Sequence, residues 1–408
     1  MSDDSQLAQI QKLQTTDKAG AEALLLAFVR ENFPQLRAVT MELRPSAVSL
    51  NSFNGYLTDE TGKRFFFKTH VEPGSIVAEY YNSGLLADAG YPIIRPVFTS
   101  TEYGKQFLVY ELIEAASVFD IVRKMDIDPE YEYEQAGSLA AYQEDADLAL
   151  FQIYRRTMDV QNSHDAARAP VHQLFYHRLK GPRLREYYST ADGEFKLPLH
   201  KTWVINGRHY LSTLQNLIDA QNIIHPSLAG ISIIGHGDAH NGNVFLFDAV
   251  NVPLTYFDPA FGGRHSPFLD LAKPLFHNVF AAWLYHPEDY MQSIFSVNET
   301  AEEIHMVMDD VPASHRLEIF YRSKVDCVLH PLVIELKRRG WLQSNWRQYL
   351  KTALFCCPFL TMNLTDETRF PEQIKWLGLA WSVIMGSESE GSEKSLLDET
   401  LDEIEANL

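Results

Sequence analysis

Strand-like and helix-like patterning are segregated along this chain, and that segregation narrows the folds open to it more than any other feature. Val48–Leu57 and Arg64–Thr69 are rich in β-branched and aromatic residues. The polar, Gly-ended run Asp59–Gly62 between them has the chemistry of a hairpin turn, so two antiparallel strands are predicted. Val97–Thr99 and Gln106–Leu112 read as two more strands. Between the pairs, Glu79–Ala89 has helical spacing and stops at Gly90, with Pro92 just beyond, as a helix C-terminus does. Ahead of the strands, Leu7, Ile10, Leu13, Leu24, Leu25, Phe28 and Val29 mark one or two amphipathic helices. Past about residue 117 the pattern is mostly helical: 138–161, 211–221, 270–285, 313–339, 342–355 and 371–385 all suit helices. Two short β-prone runs, Ile231–Ile234 and Leu254–Phe257, interrupt this half, and each leads straight into a polar cluster, as strands do when they deliver loops to a site. The reading is an α+β chain with a small N-terminal lobe built on an antiparallel sheet and a larger, mainly helical C-terminal lobe.

Composition excludes several classes of function. With 408 residues, 46% of them hydrophobic, the chain can bury sizeable cores, and it is too apolar for a disordered protein. A formal charge of −19 repels phosphate backbones and anionic lipids, so neither nucleic acid nor a membrane surface is expected as a partner over a broad face. Three cysteines, Cys327 with the adjacent Cys356 and Cys357, are too few and too clustered for a disulfide framework. No apolar run reaches the ~20 residues that span a bilayer, and the acidic start is unlike a secretory signal. A cytoplasmic protein is expected.

The densest polar cluster is His236-Gly237-Asp238-Ala239-His240-Asn241-Gly242-Asn243, set between apolar Ile233-Ile234 and Val244-Phe245. Asp258 follows fifteen residues after Asn243, within Tyr256-Phe257-Asp258-Pro259-Ala260. Two carboxylates and an amide presented from neighbouring strand ends form an oxygen-rich set. Hard cations such as Mg²⁺ take oxygen ligands, usually one or two carboxylates completed by substrate phosphates. One carboxylate is then free to act as a base.

The segment HGDAHNGN resembles the catalytic loop of the aminoglycoside phosphotransferase and choline kinase superfamily, whose pattern is H-G-D-x-H-x-x-N, and FDPAFGG resembles the metal-binding aspartate segment that follows it. Asp270, in Phe268-Leu269-Asp270-Leu271-Ala272, matches the downstream structural aspartate of that superfamily. Upstream, Lys68 looks like the strand lysine that holds nucleotide phosphates and Glu79 like its helix partner. Ser52-Phe53-Asn54-Gly55-Tyr56 falls where the nucleotide-covering hairpin loop lies, and Glu111–Ile113 where the hinge receives an adenine through backbone groups.

The resemblance implies a two-lobed protein-kinase-like fold and an ATP-dependent transfer of phosphate to the hydroxyl of a small molecule. Such transfer is mostly positioning and charge neutralisation. By similarity Asp238 is the base, Asn243 and Asp258 hold Mg²⁺, and Lys68, paired with Glu79, contacts the phosphates, with Ser52, Asn54, Glu111 and Ile113 around the nucleotide. His236, His240 and Asp270 would support the loop. The covering loop has one glycine instead of a Gly-rich run, and Asp258-Pro259-Ala260 replaces Asp-Phe-Gly; both features favour small-molecule kinases over protein kinases.

Other readings of the same residues exist. His-x-Asp-x-His recurs in zinc hydrolases, so His236, Asp238 and His240 admit a metal-dependent hydrolase. That reading needs further ligands elsewhere and leaves Asn243, Asp258, Lys68 and Glu79 without a task. A non-catalytic pseudokinase is a third reading, though no member of the core set is missing. Taken singly, Lys68 is a solvated strand end, Glu79 a helix-surface charge, and Asp270 an N-cap.

Two features bear on the acceptor. Eight acidic residues and no basic one lie between Met125 and Tyr154: Asp126, Asp128, Glu130, Glu132, Glu134, Glu144, Asp145 and Asp147. In the resembling enzymes such surfaces bind cationic aminoglycosides. Against this, His177–Arg185 carries Arg178, Lys180, Arg183 and Arg185, suited to an anionic acceptor. Both admit the plainer reading of a solvated face or mutual ion pairing. The organisation expected is an N-terminal nucleotide-binding lobe over 1–112, a catalytic and acceptor-binding lobe over 113–386, and an acidic tail over 387–408, mobile at its Ser/Gly-rich start, helical towards its end and dispensable for chemistry.

Overall fold

The computed structural model describes residues 6–44, 52–70, 75–102, 104–247, 253–391 and 393–408, and within these the side chains of Ser52, His70 and residues 75–81 lie outside the described part. The chain is α+β and divides into two compact units: residues 1–116 with Thr255–Ala260, and Ser117–Leu254 with Phe261–Leu408.

The first unit is a sheet backed by helices. Helices α1 (Gln6–Leu13) and α2 (Lys18–Asn32) precede strands β1 (Ala38–Leu43), β2 (Ser52–Asp59) and β3 (Arg64–His70); helix α3 (Ser75–Ala89) and strands β4 (Phe98–Ser100) and β5 (Phe107–Glu111) follow. The five strands run in the order β1-β2-β3-β5-β4, all antiparallel. Alternation on β3 and β5 sends Phe67 and Phe107 to one face, where their rings stack at 5.3 Å within a core that also takes Leu25, Phe28 and Phe33 from the helical layer.

The β2–β3 turn forms where Asp59–Gly62 predicted it. Asp59 Oδ1 accepts from Thr61 N and Lys63 N at 2.9 Å each, and Gly62 takes the left-handed conformation. Helix α3 ends at Gly90, φ 101°, as its sequence indicated. Strand β1 was not anticipated. It also explains Gly55: a Cβ there would stand 1.9 Å from the Glu42 carbonyl oxygen, so the glycine serves β1–β2 packing. Ser52–Tyr56 is strand, a correction to its reading as a nucleotide-covering loop; residues 45–51 lie outside the described part.

The second unit is mainly helical. Its longest helix, Pro129–Thr157, starts nine residues earlier than the apolar pattern implied because Asp128 caps Glu130 N and Tyr131 N and Pro129 fills the first turn. The expected 270–285 helix is broken into Pro267–His277 and Ala282–Tyr285, and the expected 313–339 helix runs from Ser314 to Arg338 with two π-helical stretches. Strand Gly230–Gly235 lies between Gly263–His265 and Asp159–Gln161 in a small antiparallel sheet that ends at the polar cluster.

A five-stranded sheet in this unit was not anticipated. Thr202–Ile205 and Arg208–Tyr210 form a hairpin through Asn206 and Gly207, both with positive φ, and Ile294–Glu299, Glu303–Met308 and Ser389–Glu390 complete it.

The end of the tail is helical as expected, but its Ser/Gly-rich start, expected to be mobile, is paired strand at Ser389–Glu390. Ser389–Glu390 pairs with Arg208–Tyr210, and helix Leu396–Ala406 buries Leu397, Leu401 and Ile404. Arg347 binds Glu388 and Asp402 at 2.6 Å each, and the buried Lys351 binds Asp398. Four of the tail's eight carboxylates, Glu388, Asp398, Asp402 and Glu405, thus face two cations on helix Trp346–Thr361. Half of the 126–147 patch is likewise engaged internally. Asp126 binds Arg316 and His315, Glu132 binds His315, Asp147 binds Lys324, and Asp128 is a cap.

Candidate active site

Each unit carries a compact set of the residues singled out in the sequence. In the first unit, Lys68 Nζ lies 2.7 Å from Asp258 Oδ1, with the lysine side chain 12% and the aspartate 33% exposed. Lys68 is opposite Leu108 on β5 and opposite Asn54 on β2, which puts Asn54 beside it in register.

The segment carrying Asp258 belongs to this unit because it is fastened there. Tyr256 N donates to Pro92 O at 2.7 Å, Ile94 N donates to Tyr256 O at 2.9 Å, and the Phe257 ring packs edge-on to Tyr110 and Phe66 at 5.0 and 6.1 Å. Asn82 Nδ2, from α3, donates to Pro259 O at 3.1 Å. Asp258 itself takes a left-handed conformation, φ 55°, costing ~1–3 kcal/mol in a non-glycine residue; such strain collects at functional positions. Glu79 lies on α3 with its side chain outside the described part, and Ser52 on β2 likewise. Glu111 ends β5 and pairs with Lys63 at 2.7 Å, and Ile113 follows that strand.

In the second unit the 236–243 loop leaves strand Gly230–Gly235 and is held by hydrogen bonds at nearly every step. Asp238 N donates to His236 Nδ1 at 3.4 Å, and Asn243 Nδ2 donates to Asp238 O at 2.9 Å. Gly242 N donates to His240 Nδ1 at 3.1 Å, which leaves His240 Nε2 to carry its proton toward Asp238 Oδ2, 3.9 Å away.

Asp270, one turn into helix Pro267–His277, is a buried anchor and not an N-cap. Its carboxylate accepts from Gly237 N at 2.5 Å, from Tyr154 OH, and from His265 Nε2 at 3.0 Å. Burial pushes its pKa up, but these donors outweigh burial and hold the carboxyl below the usual range. Two glycines fit around it. A Cβ on Gly235 would meet Asp270 and His265 at 2.6 Å, and one on Gly237, φ 80°, would meet Phe261 O at 2.4 Å.

Asp238 stands apart from these satisfied groups. Its Oδ1 is buried and has no hydrogen-bond partner among the described residues; the nearest cation, Lys273 Nζ, is 3.8 Å away. Burial raises its pKa, but Lys273, His240 and Arg178 together pull it below the ordinary aspartate value, so it is ionised at neutral pH. Lys273 donates to His277 Nε2 at 3.2 Å, so His277 accepts there and its Nδ1 carries the proton toward Tyr285 OH at 2.8 Å. Burial, then Lys273, keeps His277 neutral. Cys357, pushed up to about 12 by burial, is an inert thiol packed below Lys273, its Sγ 3.7 Å from Ala272 O.

Sequence reasoning missed Asn82, Tyr154, Lys273 and His277. Lys273 had a signal: it is the one cation in the apolar run Phe268–Phe276, and a buried charge needs a partner. Among the described residues, His286, Glu288 and Asp289 are the His/carboxylate trio whose ligand atoms all lie within 4.8 Å of one another. No helix among the described residues is long and apolar enough to cross a membrane.

No family profile and no curated protein matches this sequence. Among solved structures, the chain is similar to the amicoumacin kinase hAmiN in complex with AMP-PNP, Ca²⁺ and Ami, at 13% identity over 88% of this chain and 92% of that one, with a TM-score of 0.46. It is similar to an aminoglycoside-3'-phosphotransferase of type VIII at 14% identity over 81% and 97%, TM-score 0.42. It is also similar to a glucosamine kinase at 16% identity over 89% and 80%, TM-score 0.43. At these values the likeness fixes neither activity nor acceptor.

Proposed function

We propose that this protein is a cytoplasmic, ATP-dependent phosphotransferase of the aminoglycoside phosphotransferase and choline kinase superfamily, acting on a hydroxyl of a small molecule. The observation that carries the reading is Asp238. It is an ionised carboxylate with a buried oxygen lacking a donor among the described residues, on a loop whose backbone is otherwise held by hydrogen bonds.

In this reading Asp238 accepts the proton of the acceptor hydroxyl as its oxygen bonds to the γ-phosphorus. The bond from that phosphorus to the bridging oxygen breaks, the electron pair leaves on ADP, and the proton passes to solvent. With a pKa below the ordinary value, Asp238 works mainly by orienting the hydroxyl and taking its proton late. Lys68 binds the nucleotide phosphates, with Asn54 and the backbone of Glu111 and Ile113 nearby, and Ser52 and Glu79 complete the set. Asn243, whose Oδ1 is left over once Nδ2 binds the loop, and Asp258 supply hard oxygen donors that fit Mg²⁺. When bound, that ion neutralises phosphate charge. His236, His240 and Asp270 hold the loop.

The test is ATP consumption with a panel of sugars, amino alcohols, nucleosides and aminoglycosides, comparing wild type with Asp238→Ala. Acceptor-dependent turnover abolished in the variant supports the reading; equal turnover by both proteins sinks the assigned base. Asp258→Ala is expected to raise the Mg²⁺ concentration needed for nucleotide use.

A further inference from the structure

Positive charge exceeds negative charge around Asp238 in the second unit. Lys273 Nζ has Asp238 at 3.8 Å, and its other neighbours, His277 Nε2 at 3.2 Å and Thr361 Oγ1 at 3.4 Å, are uncharged. Leu360, the residue before Thr361, accepts a hydrogen bond from Arg183 at 3.3 Å, and the same guanidinium lies 5.5 Å over the Tyr187 ring. Lys273 and Arg183 therefore converge on one helix end.

Arg178 sits on the short helix Tyr176–Lys180 that packs against this same helix, and its charge acts on both Asp238 and Lys273. Among the described residues the Arg178 guanidinium makes no hydrogen bond or ion pair, and Asp238 is the carboxylate whose field reaches it. Lys273 and Arg178 thus share one carboxylate, and Arg183 adds a further positive charge that acts on both of them. Enclosed cations short of counter-charge are costly, and a bound anion relieves that cost. Planar guanidinium forks match carboxylate and phosphate.

We propose that the acceptor is an anionic hydroxyl compound, its carboxylate or phosphate received by Arg178 and Arg183 while its hydroxyl reaches Asp238. The proposal rests on the phosphotransferase reading and gives that site its substrate class. It also accounts for the 126–147 patch, half of which is engaged in internal pairs and caps and is not free to recruit a polycation.

The experiment measures Mg·ATP turnover on small hydroxyl compounds grouped by charge. The carboxylates are glycerate and gluconate, the phosphates glycerol phosphate and glucose 6-phosphate, the neutral compounds glycerol and glucose, and the cations choline, glucosamine and kanamycin. The expected result is a kcat/KM for the best anionic member about tenfold or more above the best neutral or cationic one, and whether that member is a carboxylate or a phosphate identifies the group the fork receives. Arg178→Gln should raise the KM for that acceptor about tenfold and leave the KM for ATP and the melting temperature near wild type, with Arg178→Lys recovering part of the loss. Best turnover on a neutral or cationic compound, no turnover on any anionic one, or an unchanged acceptor KM in Arg178→Gln overturns the proposal. Failure of Mg·ATP itself to bind, measured by calorimetry, overturns the phosphotransferase reading instead.

Discussion

Two buried aspartates in the second unit sit in opposite circumstances. Asp398 is fully enclosed and saturated: Lys351 Nζ binds Oδ1, while Oδ2 accepts from Ser389 N at 2.9 Å, Ser389 Oγ at 2.6 Å and Ser395 Oγ at 2.9 Å. Asp238 is less enclosed, its side chain 15% exposed, yet its Oδ1 is buried with no donor among the described residues and its cation stands back at 3.8 Å. A protein that can supply four partners to one carboxylate withholds them from another. Leaving a buried acceptor unpaired costs ~1–3 kcal/mol, a cost that the role proposed for Asp238, receiving an incoming donor, would explain.

Breaking the two aspartates should therefore move different observables. The largest effect is expected from Asp238→Asn, which keeps shape and loses charge. Turnover should fall by about 10²–10⁴-fold, the range for a positioned base, while stability falls less than in Asp398→Ala, because the lost carboxylate stands 3.8 Å from buried Lys273 and accepts no hydrogen bond from it. Denaturant titration beside steady-state kinetics reads both. A large stability loss with modest loss of kcat would reverse the comparison.

Asp398→Ala should do the opposite. It leaves Lys351 buried without its partner, and unfolding free energy should drop by ~3–5 kcal/mol with kcat per folded molecule unchanged. Acid sharpens the same contrast. Burial pushes the Asp398 carboxyl up, but Lys351, Ser389 and Ser395 outweigh it and hold it below the ordinary value. Its contribution to stability is full above the unfolded-state pKa of ~3.9 and is lost as pH falls through the lower folded value. The stability gap between wild type and Asp398→Ala should thus be constant from neutral pH to about pH 5 and close below about pH 4.

The same comparison shows what was legible in the sequence. The helix–strand segregation, the Asp59–Gly62 turn, the Gly90 helix stop and the Asp238 cluster were all local patterns, readable from neighbouring residues. The packed tail was not. Its helix looks solvated until Arg347 and Lys351, some fifty residues upstream, meet its carboxylates. The second sheet was missed for a similar reason: its strands come from three distant stretches, although Asn206-Gly207 between Trp203–Ile205 and Arg208–Tyr210 was a readable hairpin signal. The local cluster marks Asp238 as a candidate base, whereas Asp398 reads only as part of an acidic tail, because the Lys351 that neutralises it lies far upstream in the sequence.

A smaller effect separates the loop's backbone from its carboxylate. Gly237→Ala places a Cβ 2.4 Å from Phe261 O at φ 80°, a contact with backbone that cannot swing away. A cost of ~1–3 kcal/mol and a fall in kcat without a matching rise in the KM for ATP are expected, because the change displaces Asp238 and leaves the Lys68 unit untouched. Stability measured in urea and the two kinetic constants decide it; a rise in ATP KM alone would contradict the assignment of the loop to the acceptor side of the chemistry.

The finest test concerns Asp270, which is saturated like Asp398 but positions the loop that carries Asp238. Tyr154 OH donates to its Oδ2, and His265 Nε2 and Gly237 N donate to its Oδ1, so it couples helix Pro129–Thr157 to the loop backbone. Tyr154→Phe removes one donor and keeps the ring. Two donors remain, so the expected loss is about 1 kcal/mol in stability, the net value of one hydrogen bond. If Asp270 is only a stability element, kcat should stay constant. If it sets the position of Gly237 and hence of Asp238, kcat should fall severalfold at a temperature where the variant is fully folded. Asp270→Asn should extend the fall, because its amide presents one acceptor oxygen where the carboxylate presents two, and Gly237 N and Tyr154 OH use opposite oxygens.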